Sequence, residues 1–190
     1  KLAKLSKAGL KVVDLGLESA SIQQLKNMTK TNSPERYLKT ASEFLKNCFH
    51  YGIWVKVNIL LYAGESSDTI IETMTWLDKH KKYIKGISAY PLIVFGTTKL
   101  SKVFLSEVTL LGASSLTTSI NENGITEIHL SEEISNKKAK ELSLSLSKRY
   151  MSKDDYYDLK SFGYFRRSYN YDDFLVSLEN IDKRDLPFTC

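Results

Sequence analysis

Cysteine is scarce in this sequence: there are two in 190 residues, Cys48 and Cys190. They are far apart and imply no disulfide framework, so a reducing, cytoplasmic location is expected. Histidine is nearly as scarce, with three. His50, His80 and His129 lack the spacing of a metal-ligand set; each reads as a surface or helix-end residue, and no Ser-His-Asp order emerges. No apolar run approaches the roughly 18 residues of a membrane span, so no membrane partner is expected. No apolar stretch of roughly 7–15 residues follows the first charges, which argues against a signal peptide. The dinucleotide fingerprint GxGxxG is absent, as is a P-loop lysine.

What is present suffices for a core. The hydrophobic fraction is 42% and the charged fraction 26%, close to an ordinary globular chain. The net charge of +5 comes from lysines spread along the whole length. That distribution describes a solvated basic surface, and charge alone does not indicate a nucleic-acid partner.

The first half alternates strand and helix. KLAKLSKAGL reads as the end of a helix with Gly9 as its C-terminal cap, so the chain is expected to be part of a longer polypeptide. LKVVDLGL (10–17) is a β-branched apolar run. Ile22, Leu25 and Met28 then repeat at helical spacing. The next helix is punctuated by Ser33 as cap, Pro34 at the first position and Gly52 just past the end. Leu38, Ala41, Leu45 and Cys48 form its inner stripe. IWVKVNILLY (53–62) is the second strand, followed by a helix capped by Ser67 or Asp68 with Ile70, Met74 and Leu77 inward. ISAYPLIVF (87–95) is the third strand, where Pro91 marks a bulge or an edge. Strands joined through helices pair in parallel, giving βαβαβ in an open sheet or part of a barrel, with ligands at the carboxyl ends. Past a soft boundary near residue 100 the pattern is mixed. It holds a short strand at 125–130, a helix with Ala139, Leu142 and Leu146 inward, an aromatic and charged stretch, and a last helix in DDFLVSLENI.

Two strand ends carry a glycine and then a glutamate: Gly16 with Glu18, and Gly64 with Glu65. Each glutamate either complements a helix N-terminus or faces a ligand. Lys30 is a solvated loop lysine or a point charge for a carboxylate. Asn58, within a strand, pairs with a neighbouring polar residue or contacts a ligand. Cys48 reads as packed. In YYDLKSFGYFRRSYNY, the aromatics beside Arg166 and Arg167 either dock the tail on its own domain or stack bases.

In order, AGLKVVDLGLESASIQQLKNMTK, a helix, GIWVKVNILLYAGESSDTIIETMTWL and GISAYPLIVFGTT resemble the second half of a radical S-adenosylmethionine (radical SAM) enzyme core. The matching elements are Glu18-Ser19, Leu25 to Lys30, Gly64-Glu65 with Thr69 and Thr73, Tyr90-Pro91, and Gly96-Thr97, within residues 1–100. The resemblance implies an α/β fold: the last three strands of a partial (β/α)6 TIM-like barrel over 1–100, with a mixed extension over 101–190. It implies that Glu18, Ser19 and Lys30 lie near S-adenosylmethionine, Lys30 suiting its carboxylate. Gly64 and Glu65 would border the adenosyl portion, and Tyr90 and Pro91 the adenine. With Asn58 these form the expected cofactor-binding set; no catalytic residue is identified.

The family's CxxxCxxC is missing, and so is the glycine-rich segment expected after the second strand. Cys48 and Cys190 cannot replace the three thiolates that hold a [4Fe–4S] cluster, so its ligands are expected outside this chain. The resemblance thus implies a partner, the N-terminal half-barrel of the same protein, and a small-molecule or peptide substrate. The complete enzyme would generate a 5′-deoxyadenosyl radical for hydrogen abstraction, with the 190 residues inactive alone. Two alternatives stand beside this: a non-catalytic nucleotide- or partner-binding half-barrel, and an RNA-modifying radical SAM enzyme that uses the tail. The exposed edge of a half-barrel is expected to make the isolated chain associate or dissolve poorly.

Overall fold

The computed structural model describes residues 1–96, 99–116 and 124–179. Thr97 and Cys190 fall outside them. The chain enters through helix α1 (Leu2–Lys7), which ends at Gly9 with φ 98°, and passes into strand β1 (Val12–Glu18). A short helix α2 (Ile22–Asn27) and a long helix α3 (Pro34–His50) lead to β2 (Trp54–Leu61). Helix α4 (Ser67–His80) then leads to β3 (Gly86–Pro91). The three strands form a parallel sheet in the order β1-β2-β3. The expected alternation is thus borne out, with strands beginning at 12, 54 and 86.

Side chains alternate across β2. Val55, Val57, Ile59 and Leu61 are buried and join one core with Ala41, Leu45 and Cys48 of α3 and Ile70 and Leu77 of α4. Fully burying such a leucine contributes about 1.5–3 kcal/mol. The opposite face is polar: the register aligns Asp14 with Lys56, and Gly16 with Asn58 and Ser88. Two helix starts differ from expectation. Ser33 makes no side-chain cap, so Pro34 alone marks the start of α3. Helix α4 is capped one residue early, by Ser66, in a reciprocal box with Thr69.

The stretch 87–95 is two strands rather than one. After Pro91 the chain breaks at Leu92 and leaves the parallel sheet as β4 (Ile93–Phe95). Helix α5 (Lys99–Leu110) and the two-residue β5 (Ser114–Ser115) follow. The second, antiparallel sheet has the order β4-β6-β5, with β6 spanning Ile125–His129. Proline's missing N–H suits it to the end of a strand at a sheet edge. Helices α6 (Asn136–Tyr150), α7 (Lys153–Ser161) and α8 (Tyr171–Glu179) complete the described chain. One buried cluster runs from Leu17 to Tyr150, so the core continues past residue 100.

Helix α6 lies along the outer edge of β3. Its buried row, Ala139, Ser143, Leu146 and Ser147, includes three small residues that allow this close approach. The Ala89 amide donates to Ser147 Oγ at 3.1 Å, so a side chain takes the place of a further strand. Ser147→Ala leaves that buried amide unpaired and should lower stability by about 1–3 kcal/mol. Ser143→Ala removes a hydroxyl that bonds only its own helix, at Lys140 O, and should change stability by less than ~0.5 kcal/mol. Denaturant midpoints of the two variants check this; equal losses would refute the role given to Ser147.

Candidate functional site at the carboxyl rim

Between Gly16 and Glu18 the pairing of β1 with β2 slips, and Glu18 takes a left-handed backbone with φ 63°. The slip aims its carboxylate back over Gly16. A Cβ at residue 16 would lie 2.7 Å from Glu18 Oε1 and 3.8 Å from Lys30 Nζ. An L side chain at residue 16 would displace the Glu18 carboxylate from this position. Tyr37 of α3 fixes the strand end by donating its hydroxyl to Gly16 O at 2.8 Å. Burial, and then the Glu18 charge, raises the pKa of that phenol.

Lys30 arrives by a different device. Helix α2 is capped by Ser21, whose Oγ accepts from Gln24 N, and ends in a paired Schellman turn. Lys30 N donates to Leu25 O at 3.0 Å, and Thr29 N to Lys26 O at 2.9 Å. The left-handed position usually given to glycine is filled by Thr29, φ 50°. A β-branched residue there is strained. The turn delivers Lys30 Nζ to Glu18 Oε1 at 3.2 Å, with the two side chains 34% and 26% exposed. Such exposure leaves the pair worth little to folding while keeping both charges reachable from solvent.

Gly64 and Glu65 form the neighbouring turn. Gly64 has φ 76°, and a Cβ there would meet Asn27 Nδ2 and Leu111 O at 3.0 Å each. Unlike Glu18, Glu65 is buried, 3% exposed, with Oε2 unpartnered. Burial pushes its carboxyl up to about 7, partly opposed by the Tyr62 amide and the Thr69 hydroxyl. The turn is clasped by residues 130–134: Gly64 N donates to Leu130 O at 2.7 Å, Ser131 Oγ to Glu65 O at 2.6 Å, and Ser67 bonds Glu133.

The structure therefore brings Glu18 and Lys30 together and sets Glu65 inward, away from solvent. Ser19, 2% exposed, binds Thr73 Oγ1 at 3.0 Å and ties the loop to α4. Asn58 lies on the polar sheet face between Gly16 and Ser88, and its side chain makes no hydrogen bond among the described residues. Tyr90 and Pro91 end β3, half-buried. Cys48 is buried, as expected, and His80 stacks on Trp76. Sequence reasoning missed Gln24, fully buried with both amide atoms unpartnered; a glutamine beside Leu25 carries no signal of burial. It also missed the two left-handed positions, because neither is glycine.

Two outcomes follow from this geometry. Thr29→Gly relieves the strained turn and should stabilise the protein by about 1 kcal/mol, read from thermal unfolding; a loss would refute the strain. Folded Glu65 keeps its proton to about pH 7, against an ordinary 4.5. Between those values the folded state binds more protons, so stability falls as pH rises, by on the order of 3 kcal/mol. Urea midpoints at pH 5 and 8 should show that slope in the native chain and lose it in Glu65→Gln. An equal slope in both would refute it.

No family model, curated protein or solved structure matches this chain at significant similarity.

Proposed function

We propose that this chain is the carboxyl-terminal half of a radical SAM barrel and binds S-adenosylmethionine along the rim of β1, β2 and β3. The observation that carries the reading is the solvent-reachable Glu18–Lys30 pair held at consecutive strained turns. Non-glycine residues in left-handed conformations concentrate at ligand sites, and the carboxyl ends of parallel strands are where α/β folds bind ligands.

The residues fit the nucleoside cofactor. Lys30 offers a point charge to its carboxylate, and Glu18 accepts from its ammonium or ribose hydroxyls. The bare backbone at Gly16 lets a ligand approach the strand end. The turn at Gly64 and Glu65 borders the same rim. A [4Fe–4S] cluster does not fit this chain. It takes three thiolates, whereas Cys48 is buried with its thiol pKa pushed up by burial. Among the described residues no group of His, Cys, Asp and Glu could hold a metal. The cluster ligands belong to the partner half. When bound beside such a cluster, S-adenosylmethionine supplies a 5′-deoxyadenosyl radical. The residues described here bind it, orient it and exclude water on one side.

The edges of the sheet support the same partner. Serine and helix close the outer edge of β3, while among the described residues β1 has one strand neighbour, β2. Strands that complete a barrel would add to β1. The RNA reading has less support, because Tyr157, Phe165, Tyr169 and Phe174 pack on one another.

Calorimetric titration of the chain with S-adenosylhomocysteine tests the proposal. Saturable binding is expected, weakened about tenfold or more by Lys30→Met, the loss of one charge-assisted hydrogen bond. Binding that is absent, or indifferent to Lys30→Met, would overturn it.

A further inference from the structure

The fold gathers lysines that the sequence spreads out. Four chain segments meet at the amino-terminal end of the parallel strands, opposite the rim that carries Glu18 and Lys30. Ser6 Oγ of α1 donates to Tyr51 O, just past the end of α3, at 2.7 Å. Phe49 of α3 packs edge-on against Tyr83 of the single 3-10 turn before β3 (Lys81–Tyr83), with ring centroids 5.4 Å apart. Lys81 of that turn stands 5.9 Å from the ring of Tyr150, the last residue of α6. Residues 1–11 carry four lysines, 46–53 one, 79–86 four, and 148–153 two lysines and an arginine; none of the four segments carries an acid. Past the carboxyl end of β2 the balance is reversed: residues 62–72 carry three acids and no lysine or arginine. We propose that this amino-terminal face is a binding surface for single-stranded nucleic acid.

Three acids that reach this end are already engaged. Asp78 accepts from Arg149 and Tyr150, at 2.8 and 2.7 Å. Asp155 and Asp158 lie 2.8 and 2.7 Å from Lys85 Nζ. The other lysines of the four segments are exposed and make no ion pair among the described residues. Rings stand among these charges. Phe49 is 60% exposed and Tyr51 38%. Lys82 Nζ lies 4.8 Å from the Tyr83 ring centroid, and the His50 and Tyr51 rings are 4.8 Å apart. Lysines alone would suit any polyanion. Exposed rings set among them add faces on which unpaired bases stack, and stacking beside a cationic track holds single strands without sequence preference. A duplex offers phosphates but no open base face, so it leaves the rings unused. The surface uses none of the tail aromatics and does not depend on what the carboxyl rim binds.

Fluorescence anisotropy of a labelled oligouridylate, about ten nucleotides long, titrated with the chain tests this. Saturable binding is expected, with log affinity falling linearly against log salt concentration. The triple variant Lys79→Gln, Lys81→Gln and Lys82→Gln, at exposed positions that leave folding intact, should flatten that slope by about 2. Phe49→Ala should weaken binding about tenfold and leave the slope unchanged. Duplex RNA of the same length, and vesicles of phosphatidylcholine with phosphatidylserine, should bind more weakly at the same salt. Equal or tighter binding of either would overturn the proposal. So would the absence of saturable binding, or an affinity and slope that both variants leave unchanged.

Discussion

At the end of β1 the ladder to β2 loses register between Gly16 and Glu18, and the chain turns left-handed at a residue with a full side chain. Most of the rim follows from that step. The slip turns the carboxylate over Gly16 and toward Lys30. It also sends Ser19 and Ala20 inward, where Thr73 Oγ1 lies 3.0 Å from Ser19 Oγ and accepts from Ala20 N at 3.1 Å. One backbone irregularity therefore fixes a surface charge and anchors α4 at once. Bulges do this elsewhere: they re-aim a side chain without ending the sheet.

The carboxyl-terminal part of the chain is structural for the rim. The 130–134 turn holds the Gly64–Ser67 backbone through three separate bonds, and α6 seals the edge of β3. At the other end of the strands, Met151 and Leu159 press on Gly86, where a Cβ would lie 2.7 and 2.9 Å from their side chains. Among the described residues, α6 seals one edge of the three-stranded sheet and no further strand pairs with the other, β1. A further strand would have that edge to pair with.

Much of this was legible in the sequence. Apolar runs and helical periods located the starts of all three parallel strands to within two residues, and Gly9 and Gly52 marked helix ends because only glycine takes φ 98° and 66° at little cost. The pairing of Glu18 with Lys30 was legible only as two charges near strand and helix ends. The sheet change at Leu92 was not, since ISAYPLIVF is a mostly apolar run in which Pro91 marks a bulge or an edge equally well. Nor was the inward setting of Glu65, because a glutamate after glycine at a strand end looks the same whether it faces solvent or core. Burial of a carboxyl group is a tertiary property; here the Glu65 backbone is held by Ser131, 66 residues later in the chain.

The placement of Lys30 shows how such a site is held. Helix α2 has six residues, too few to be stable alone, and it ends on a threonine in a conformation that costs about 1–3 kcal/mol. Its capping by Ser21 restores about 1 kcal/mol. The remainder has to come from packing, and Leu25 supplies it: the side chain is fully buried, a contribution of about 1.5–3 kcal/mol. Leu25 is also the residue whose carbonyl receives the Lys30 amide. The same residue thus anchors the helix in the core and orients the charge at the surface. That coupling explains why a strained threonine persists: the turn cannot relax into another shape without moving Leu25 out of the core.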